Sequence, residues 1–315
     1  MSQKRKNITL LIILLLLSAT TVLVYISGGK AHRIDVDERL FALGENTVIT
    51  TVHIQGPDVN NHFEYVGQTW TVNDKFEMDV SMRDVLFAVL SKVEIRRPVP
   101  REISDSVSSM LKSRGIKVSI QNGQEMIREF FVGGDSQKTN TYFMSTVDDV
   151  PYIMVIPGYQ SYIAGIFEVK ENDWRNRFIL SVNWTNLQTV QIDYLKDPSR
   201  NFKLQYTDDF FKIEGQPELD SARVLDYIEE LSLIQVNKFL EDNEIEKYDS
   251  LASTSPLIRI SIESIGNNYN LEFFPLLTDD RYQLARLNNT RLVLFNLTGL
   301  NPVFKKAEDF IKEDQ

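Results

Sequence analysis

The chain has 315 residues, a formal net charge of −10 and a sequence pI of about 5.0, and this acidity disfavours nucleic-acid binding, which needs concentrated Lys and Arg. Its composition, 43% hydrophobic and 25% charged, is that of a folded protein and excludes a mostly disordered chain. Cysteine is absent, so disulfides, thiolate metal sites, cysteine nucleophiles and lipid attachment to a cysteine are all excluded.

The first predicted element is an apolar helix from Ile8 to Ile26, which contains no charged residue and follows the basic residues Lys4, Arg5 and Lys6. A helix of about 19 residues rises roughly 28 Å, close to the hydrocarbon thickness of a bilayer. By the positive-inside rule the basic residues stay in the cytoplasm. The sequence therefore predicts a single-pass signal-anchor, with everything after Ser27 outside the cytoplasm. A cleaved secretory signal is the alternative, and it also exports the body of the chain.

The body then reads as two copies of one pattern, offset by about 140 residues. We predict a cytoplasmic stub, transmembrane segment and glycine linker over residues 1–33, a first repeat over residues 34–168 and a second repeat over residues 169–315. The β-prone runs of the first copy are Val48–Gln55, Phe63–Val66, Thr69–Val72, Ile116–Gln121, Ile127–Val132, Thr141–Ser145 and Tyr152–Ile156. Their counterparts in the second copy are Leu187–Tyr194, Phe202–Tyr206, Phe210–Ile213, Leu257–Glu263, Tyr269–Phe274, Tyr282–Arg286 and Leu292–Asn296.

A pair of helices interrupts the strands of each predicted copy. In the first copy, Ser81 is predicted to begin a helix through a capping box with Asp84, and a second helix spans Ile103 to Arg114. In the second copy, Asp220 is the predicted N-cap, and the second helix spans about Lys238 to Tyr248. Short terminal helices are predicted near Tyr159–Phe167 and Pro302–Ile311.

This order of elements predicts an α+β fold. An N-terminal transmembrane helix is followed by two tandem, internally duplicated α+β units. The sheets are expected to be mostly antiparallel, because strands occur in groups, and the helices are expected on one face of each sheet.

Six short strings occur in order between Arg97 and Arg175, and together they resemble one known group of proteins. The strings are Arg97-Pro98-Val99-Pro100, Gly115-Ile116-Lys117-Val118, Phe131-Val132-Gly133-Gly134, Pro151-Tyr152, Ile156-Pro157-Gly158 followed by Tyr162, and Asp173-Trp174-Arg175. The group is the membrane-anchored family called domain of unknown function 4340, and the similarity extends from about Val48 to Ile213.

This resemblance implies a bacterial envelope protein, anchored in the cell inner membrane with a cytoplasmic N-terminus and a periplasmic body. Some members of the family are encoded near membrane transport or gliding-type components, which implies an accessory role. The family supplies no established reaction and no catalytic residue that can be carried over to this sequence.

Four aromatic residues near the predicted junction of the copies form a candidate binding groove: Tyr159, Tyr162, Trp174 and Trp184. Ligand pockets favour domain interfaces, and aromatic side chains there can line a groove for a sugar or a peptide. The same side chains can instead fill the interface itself, and we favour this packing role.

Other patterns point less directly to chemistry. His53 and His62 can approach each other if their strands pair, but their spacing matches no zinc motif, so no metal and no cofactor is predicted. Ser109 and Lys112 form a Ser-x-x-Lys pair on a predicted helix, where the lysine is better explained by the negative end of the helix dipole than by catalysis.

Two further patterns are predicted to be turns. Gly133-Gly134-Asp135 is interpreted as a hairpin turn in which glycine supplies positive φ, because a strand follows it and a phosphate loop would lead into a helix. The paired aspartates are interpreted as solvated turns in preference to acid–base or calcium sites: Asp148-Asp149, Asp208-Asp209 and Asp279-Asp280.

The sequence thus displays no nucleophile, base and orienting residue in a catalytic arrangement. We predict a non-enzymatic accessory or scaffold protein with a protein partner in the envelope, in line with the transport and gliding-type components that the resemblance implies. The alternative is a glycan- or peptide-binding module that uses the aromatic junction. A hydrolase is the third hypothesis.

Overall fold

The computed structural model describes residues 12–22, 37–44, 46–276 and 281–312. Within these ranges the chain forms two sheets in which every strand pair is antiparallel, and helices pack against both sheets. This confirms the α+β class and the antiparallel pairing. An N-terminal helix, α1, is described over residues 12–22.

Among the described residues, the first sheet has nine strands in the order β4-β3-β2-β1-β6-β7-β8-β9-β5. Its strands are β1 (Thr51–Gln55), β2 (Asn60–Val66), β3 (Thr69–Val72), β4 (Phe76–Glu77), β5 (Glu94–Pro98), β6 (Ile116–Asn122), β7 (Glu125–Gly134), β8 (Thr141–Ser145) and β9 (Pro151–Val155). Helices α2 (Val80–Lys92) and α3 (Arg101–Arg114) flank β5 in the chain. A 3₁₀ helix (Ile163–Glu168) and the short helix α4 (Glu171–Trp174) close this unit.

The second sheet has eight strands in the described part of the chain, in the order β12-β11-β10-β14-β15-β16-β17-β13. Its strands are β10 (Leu187–Tyr194), β11 (Phe202–Thr207), β12 (Phe210–Ile213), β13 (Lys238–Phe239), β14 (Ile258–Ser264), β15 (Asn267–Phe273), β16 (Tyr282–Leu287) and β17 (Arg291–Asn296). The helices of this unit are α5 (Ser221–Ser232), α6 (Asp242–Ile245), α7 (Asp249–Ala252) and α8 (Leu297–Leu300), with 3₁₀ turns at Pro198–Arg200 and Ala307–Phe310.

The two sheets repeat one strand order once the short strand β4 is set aside. Read from one edge, β3-β2-β1-β6-β7-β8-β9-β5 corresponds to β12-β11-β10-β14-β15-β16-β17-β13. The ends of the units correspond as well. The amide of Asp79 donates to the carbonyl of Trp174 at 2.8 Å, and the amide of Asp220 donates to the carbonyl of Phe310 at 2.8 Å. Each bond ties the residue before a long helix to the last residue of a terminal helical turn.

Helices cover both faces of each sheet, so the expectation that they lie on one face is wrong. Leu90 of α2 joins one hydrophobic cluster of the first unit, and Leu111 of α3 joins another. Strand β8 contributes to both, since Phe143 lies in the first cluster and its neighbours Tyr142 and Met144 lie in the second. The second unit is divided in the same way between α5 and the pair α6 and α7. A strand that is apolar on both faces lacks the alternation that would reveal this arrangement.

Three local predictions are also wrong, for identifiable reasons. The N-cap of α2 is Asp79, whose carboxylate accepts a hydrogen bond from the amide of Met82 at 3.0 Å, and Ser81 lies inside the helix. Lys238–Phe239 form strand β13 instead of beginning a helix, because they pair with β17. The terminal helix predicted to begin at Tyr159 begins later and is a 3₁₀ helix.

The described part of α1 is helical, and all of its side chains are exposed. The hydroxyls of Thr20 and Thr21 donate to the carbonyl of Leu17 at 2.9 and 2.8 Å, so these polar groups are satisfied by the helix backbone itself. Across the residues that the structure describes, no helix is both long and apolar enough to cross a membrane. The ends of the predicted anchor, residues 8–11 and 23–26, lie outside the described residues, as do the cytoplasmic stub and the glycine linker.

We predict that Asp79→Ala and Asp220→Ala each lower the free energy of unfolding by about 1 kcal/mol, because each carboxylate caps amides at the start of a long helix. Asp220 is confirmed as a cap, since it accepts from the amides of Ala222 and Arg223 at 2.9 and 3.4 Å. Ser81→Ala is the control, because Ser81 is exposed within α2. Urea unfolding followed by circular dichroism measures all three variants. An equal loss for Ser81→Ala would contradict the assignment of the caps.

Candidate functional site

The two units meet at a short connector that follows Trp174. In sequence order the main core of the first unit ends at Trp174, and that of the second unit begins at Leu180. The sequence analysis placed the junction of the two repeats at residue 168. The connector is fixed to the second unit by its backbone, since the amide of Val236 donates to the carbonyl of Arg177 at 2.9 Å.

Arg175, the first residue of the connector, links the two units through its guanidinium. Its Cζ atom lies 3.8 Å from the ring centroid of Phe76 in β4 and 3.7 Å from that of Phe239 in β13. The guanidinium is thus stacked between one aromatic ring from each unit, and Arg175 is only 8% exposed. A desolvated cation–π contact is worth about 2 kcal/mol. This stack therefore stabilises the junction by electrostatic attraction as well as by packing.

A second guanidinium stands close to the first. Cζ of Arg291, at the start of β17, lies 4.5 Å from the ring centroid of Phe76. Burial, and then the nearby positive charge of Arg291, lower the pKa of Arg175 to about 10. Arg175 nevertheless remains charged at neutral pH, so the two residues bring two positive charges to one place.

The two arginines and the two phenylalanines line a cleft between the units. Its larger recess has a volume of about 710 Å³ and its smaller recess about 440 Å³. The larger recess is also lined by an ion pair that joins the units, with Nζ of Lys170 3.0 Å from Oε2 of Glu241. Small ligands commonly bind in clefts of this size at domain interfaces. This cleft is therefore the candidate functional site.

The four aromatic residues of the predicted groove do not come together. Trp174 is fully buried in the first core and packs on Phe63, with ring centroids 4.8 Å apart. Its indole N–H donates to the carbonyl of Val169 at 3.1 Å, so the ring fills the core and is not available to a ligand. Tyr159 is exposed just after β9, and Trp184 is exposed on the second unit.

Tyr162, the fourth of these residues, packs on the first sheet. A Cβ atom built on Gly134 would lie 2.3 Å from the ring of Tyr162, so only glycine leaves room for the ring. The Tyr162 hydroxyl donates to Oε1 of Glu168 at 2.6 Å, and Nζ of Lys138 donates to Oε2 of Glu168 at 2.7 Å. Burial alone would raise the pKa of Glu168, but these two hydrogen bonds outweigh burial and lower the pKa.

The Gly133-Gly134-Asp135 string ends β7 and begins the turn to β8. Both glycines lie in the strand, so the prediction that they supply positive φ is wrong; in the turn it is Lys138 that has positive φ, at 56°. Burial would raise the pKa of Asp135, but hydrogen bonds from Asn140 and Thr139 lower it to about 2. Asp135 is therefore an ionised residue that stabilises the hairpin turn.

His53 and His62 lie opposite each other on β1 and β2, with ring centroids 5.8 Å apart. Nε2 of His53 is 3.1 Å from Oδ1 of Asn60, and Nδ1 of His62 is 3.5 Å from Oδ1 of Asp74. Within the part of the chain that the structure describes, no cluster of three or more His, Asp or Glu residues is placed to hold a metal ion.

The remaining candidates are ion pairs or lie outside the described residues. Nζ of Lys112, from the Ser-x-x-Lys pair, is 2.7 Å from Oδ1 of Asp149, so the lysine binds a turn carboxylate. Asp208 lies at a turn with positive φ, and its Oδ2 is 3.4 Å from Nζ of Lys212. Asp279-Asp280 lie outside the described residues.

Sequence reasoning missed the arginine pair at the centre of the cleft. Arg175 stood in one of the six strings, but its neighbours Phe239 and Arg291 come from distant positions in the other unit. No local spacing marks such a set, because tertiary packing alone brings its members together.

We expect Gly134→Ala to lower the free energy of unfolding by about 1–3 kcal/mol, because the added Cβ displaces the ring of Tyr162. Gly299→Ala in α8 is the matched control, since no described residue outside its own helix lies within 4 Å of a Cβ built there. The control should be neutral or slightly stabilising, because alanine favours helix. Chemical unfolding measures both variants, and equal effects would contradict the packing role of Gly134.

Comparison with known proteins gives one family match. The family model described as Domain of unknown function (DUF4340) matches residues 70–251, more than half of the 315-residue chain. The match begins in β3, includes the connector and ends in α7. It therefore contains Phe76, Arg175 and Phe239, whereas Arg291 lies beyond it. No curated protein and no solved structure matches the chain.

Proposed function

Because the chain belongs to the DUF4340 family, which is described only as a domain of unknown function, we propose its role from its own residues. It is a single-pass membrane-anchored, non-enzymatic accessory or scaffold protein of the cell envelope. Its N-terminus is cytoplasmic and its two-unit body is periplasmic, where it serves a protein partner in a transport or gliding-type complex. We also infer that the two units are copies of one α+β pattern, and the strand order that their sheets share supports this duplication.

The observation that carries this proposal is the exposure of α1. Residues 12–17 are all large aliphatic side chains, and each is 48–66% exposed. An uncovered apolar stretch of this kind is unfavourable in water. Lipid is the cover that fits best, because the uncharged run extends from Ile8 to Ile26 and basic residues precede it.

The junction between the units supports a scaffold role for the body. Arg175 is stacked between rings of both units, and the ion pair of Lys170 with Glu241 also joins them. Helices pack on both faces of each sheet, so the loops and sheet ends remain for contacts with a partner.

The anchor is tested with two double variants of the full chain. Leu14→Lys with Leu15→Lys places two charges in the apolar run, each unfavourable by about 2.5–3.5 kcal/mol at the centre of a membrane helix. Leu14→Ala with Leu15→Ala is the control, because the run stays uncharged. We expect wild type and control to sediment with membranes and the lysine variant to leave the membrane fraction. Wild-type protein in the soluble fraction would contradict the anchor, as would a reporter fused after Gln315 that is active only in the cytoplasm.

The accessory role is tested separately, by co-purification of the same full chain. The wild-type chain, extracted from its native membrane in mild detergent, should co-purify with an envelope protein in fixed stoichiometry. The double lysine variant should not, because it never reaches that compartment. Elution of the wild-type chain as a solitary monomer counts against the accessory role.

A second candidate function rests on the groove around Trp184, which has a volume of about 590 Å³. Trp184 is 66% exposed, and Tyr206, Phe210 and Leu225 line the same groove. Exposed aromatic rings can pack on sugar rings or on peptide side chains. The alternative is therefore a glycan- or peptide-binding module that uses one of the four predicted aromatic residues.

If this groove binds a glycan or peptide, Trp184→Ala should weaken binding at least about tenfold without lowering the melting temperature, because the ring is an exposed anchor. Trp174→Ala provides the contrast, since loss of its buried ring should cost about 3–5 kcal/mol of stability. Calorimetric titration with N-acetylglucosamine oligomers and short peptides measures binding. Unchanged affinity in Trp184→Ala would remove this alternative.

A further inference from the structure

Three residues that line the cleft between the units each have a buried side-chain polar atom without a hydrogen-bond partner. In the part of the chain that the structure describes, these atoms are Nε of Arg175 and the Oδ1 atoms of Asn61 and Asn270. Arg175 lines both recesses, Asn61 lines the larger one and Asn270 the smaller one. Asn61 is 1% exposed. Unpaired buried groups are uncommon because each costs free energy, and three of them belong to residues of this one cleft.

Neither arginine of the cleft forms an ion pair in the described part of the chain, although the charge of Glu171 partly offsets the two effects that lower the pKa of Arg175. Nη1 of Arg175 donates to Oδ1 of Asn172 at 3.0 Å. Elsewhere this chain supplies the negative charge, since Arg259 and Arg286 both pair with Glu272 at 3.0 Å. Arg175 is buried, and a buried cation without an ion-paired carboxylate is unfavourable. A bound anion would remove that cost.

We propose that the cleft binds the carboxylate of a small polar ligand between Arg175 and Arg291. The rings of Phe76 and Phe239 cover the two faces of the Arg175 guanidinium, so the ligand meets its planar edge. That edge matches a carboxylate in shape and in the spacing of its donors.

The acidic residues of the larger recess limit the charge of this ligand. Asp58, Glu171 and Asp242 line the recess and would repel a group with several negative charges. A monoanion that also offers hydrogen-bond donors therefore fits better than a phosphate. A peptide carboxyl terminus and a sugar acid both have this chemistry.

The test uses the full-length chain in mild detergent, so its result does not depend on which side of the membrane the body faces. Calorimetric titration compares N-acetyl-trialanine with its carboxyl amide, and D-glucuronate with D-glucose. We expect each acid to bind at least about tenfold more tightly than its uncharged counterpart, and inorganic phosphate to bind more weakly than the better acid. The stronger acid identifies the source of the carboxylate.

Arg291→Gln should weaken binding of the better acid by about 10- to 100-fold, because a charge-assisted contact is lost. Arg291 is chosen because it is exposed, so its loss leaves the stack of Arg175 in place. Arg200→Gln is the matched control: Arg200 is also exposed, and its Cζ lies 4.2 Å from the ring centroid of Tyr194, outside the cleft. Equal binding of acid and uncharged counterpart, no binding of either acid at roughly 10 mM, or equal losses in the two variants would overturn the proposal.

Discussion

The stacking of Arg175 between Phe76 and Phe239 joins the two units at the point where the chain passes from one to the other. Trp174 is the last residue of the first core, and the next residue, Arg175, contacts Phe239 of the second unit. The chain therefore passes from one unit to the other within one residue. A guanidinium suits this position because its two flat faces pack on both rings while its edge still offers hydrogen-bond donors. An apolar residue would pack equally well but would leave no charge. The cleft is therefore lined by a buried cation that forms no ion pair in the described part of the chain.

The strands were predictable because their signal is local. Leu187–Tyr194, Thr141–Ser145 and Phe210–Ile213 were found with the predicted bounds, since β-branched and aromatic runs end at turn residues. Helix positions were less predictable where tertiary pairing prevailed, as at Lys238–Phe239, whose strand exists only because β17 lies beside it. The common strand order of the sheets follows from the two similar runs of strands and turns. The sheet face that each helix covers could not be predicted from these runs, because β8 is apolar on both of its faces.

The four aromatic residues that sequence reasoning proposed for a binding groove do not line the cleft between the units. Sequence reasoning pointed to the junction of the units and to its aromatic residues, of which Trp174 proved to be core and Trp184 exposed. The charged pair came from elsewhere: Arg175 from the connector and Arg291 from the second sheet. Proximity of two like charges has no sequence signature. It arises when β13 pairs with β17 and brings the start of β17 to the junction.

The fit of Tyr162 against the bare backbone of Gly134 bears on how this family changes over time. The two residues belong to different strings of the six that carry the resemblance to the family, yet they meet at one point of the first sheet. They should behave as a single inherited contact and not as two independent signatures. In relatives that carry a side chain at the first position, the second is expected to hold a smaller residue, so the pair should covary.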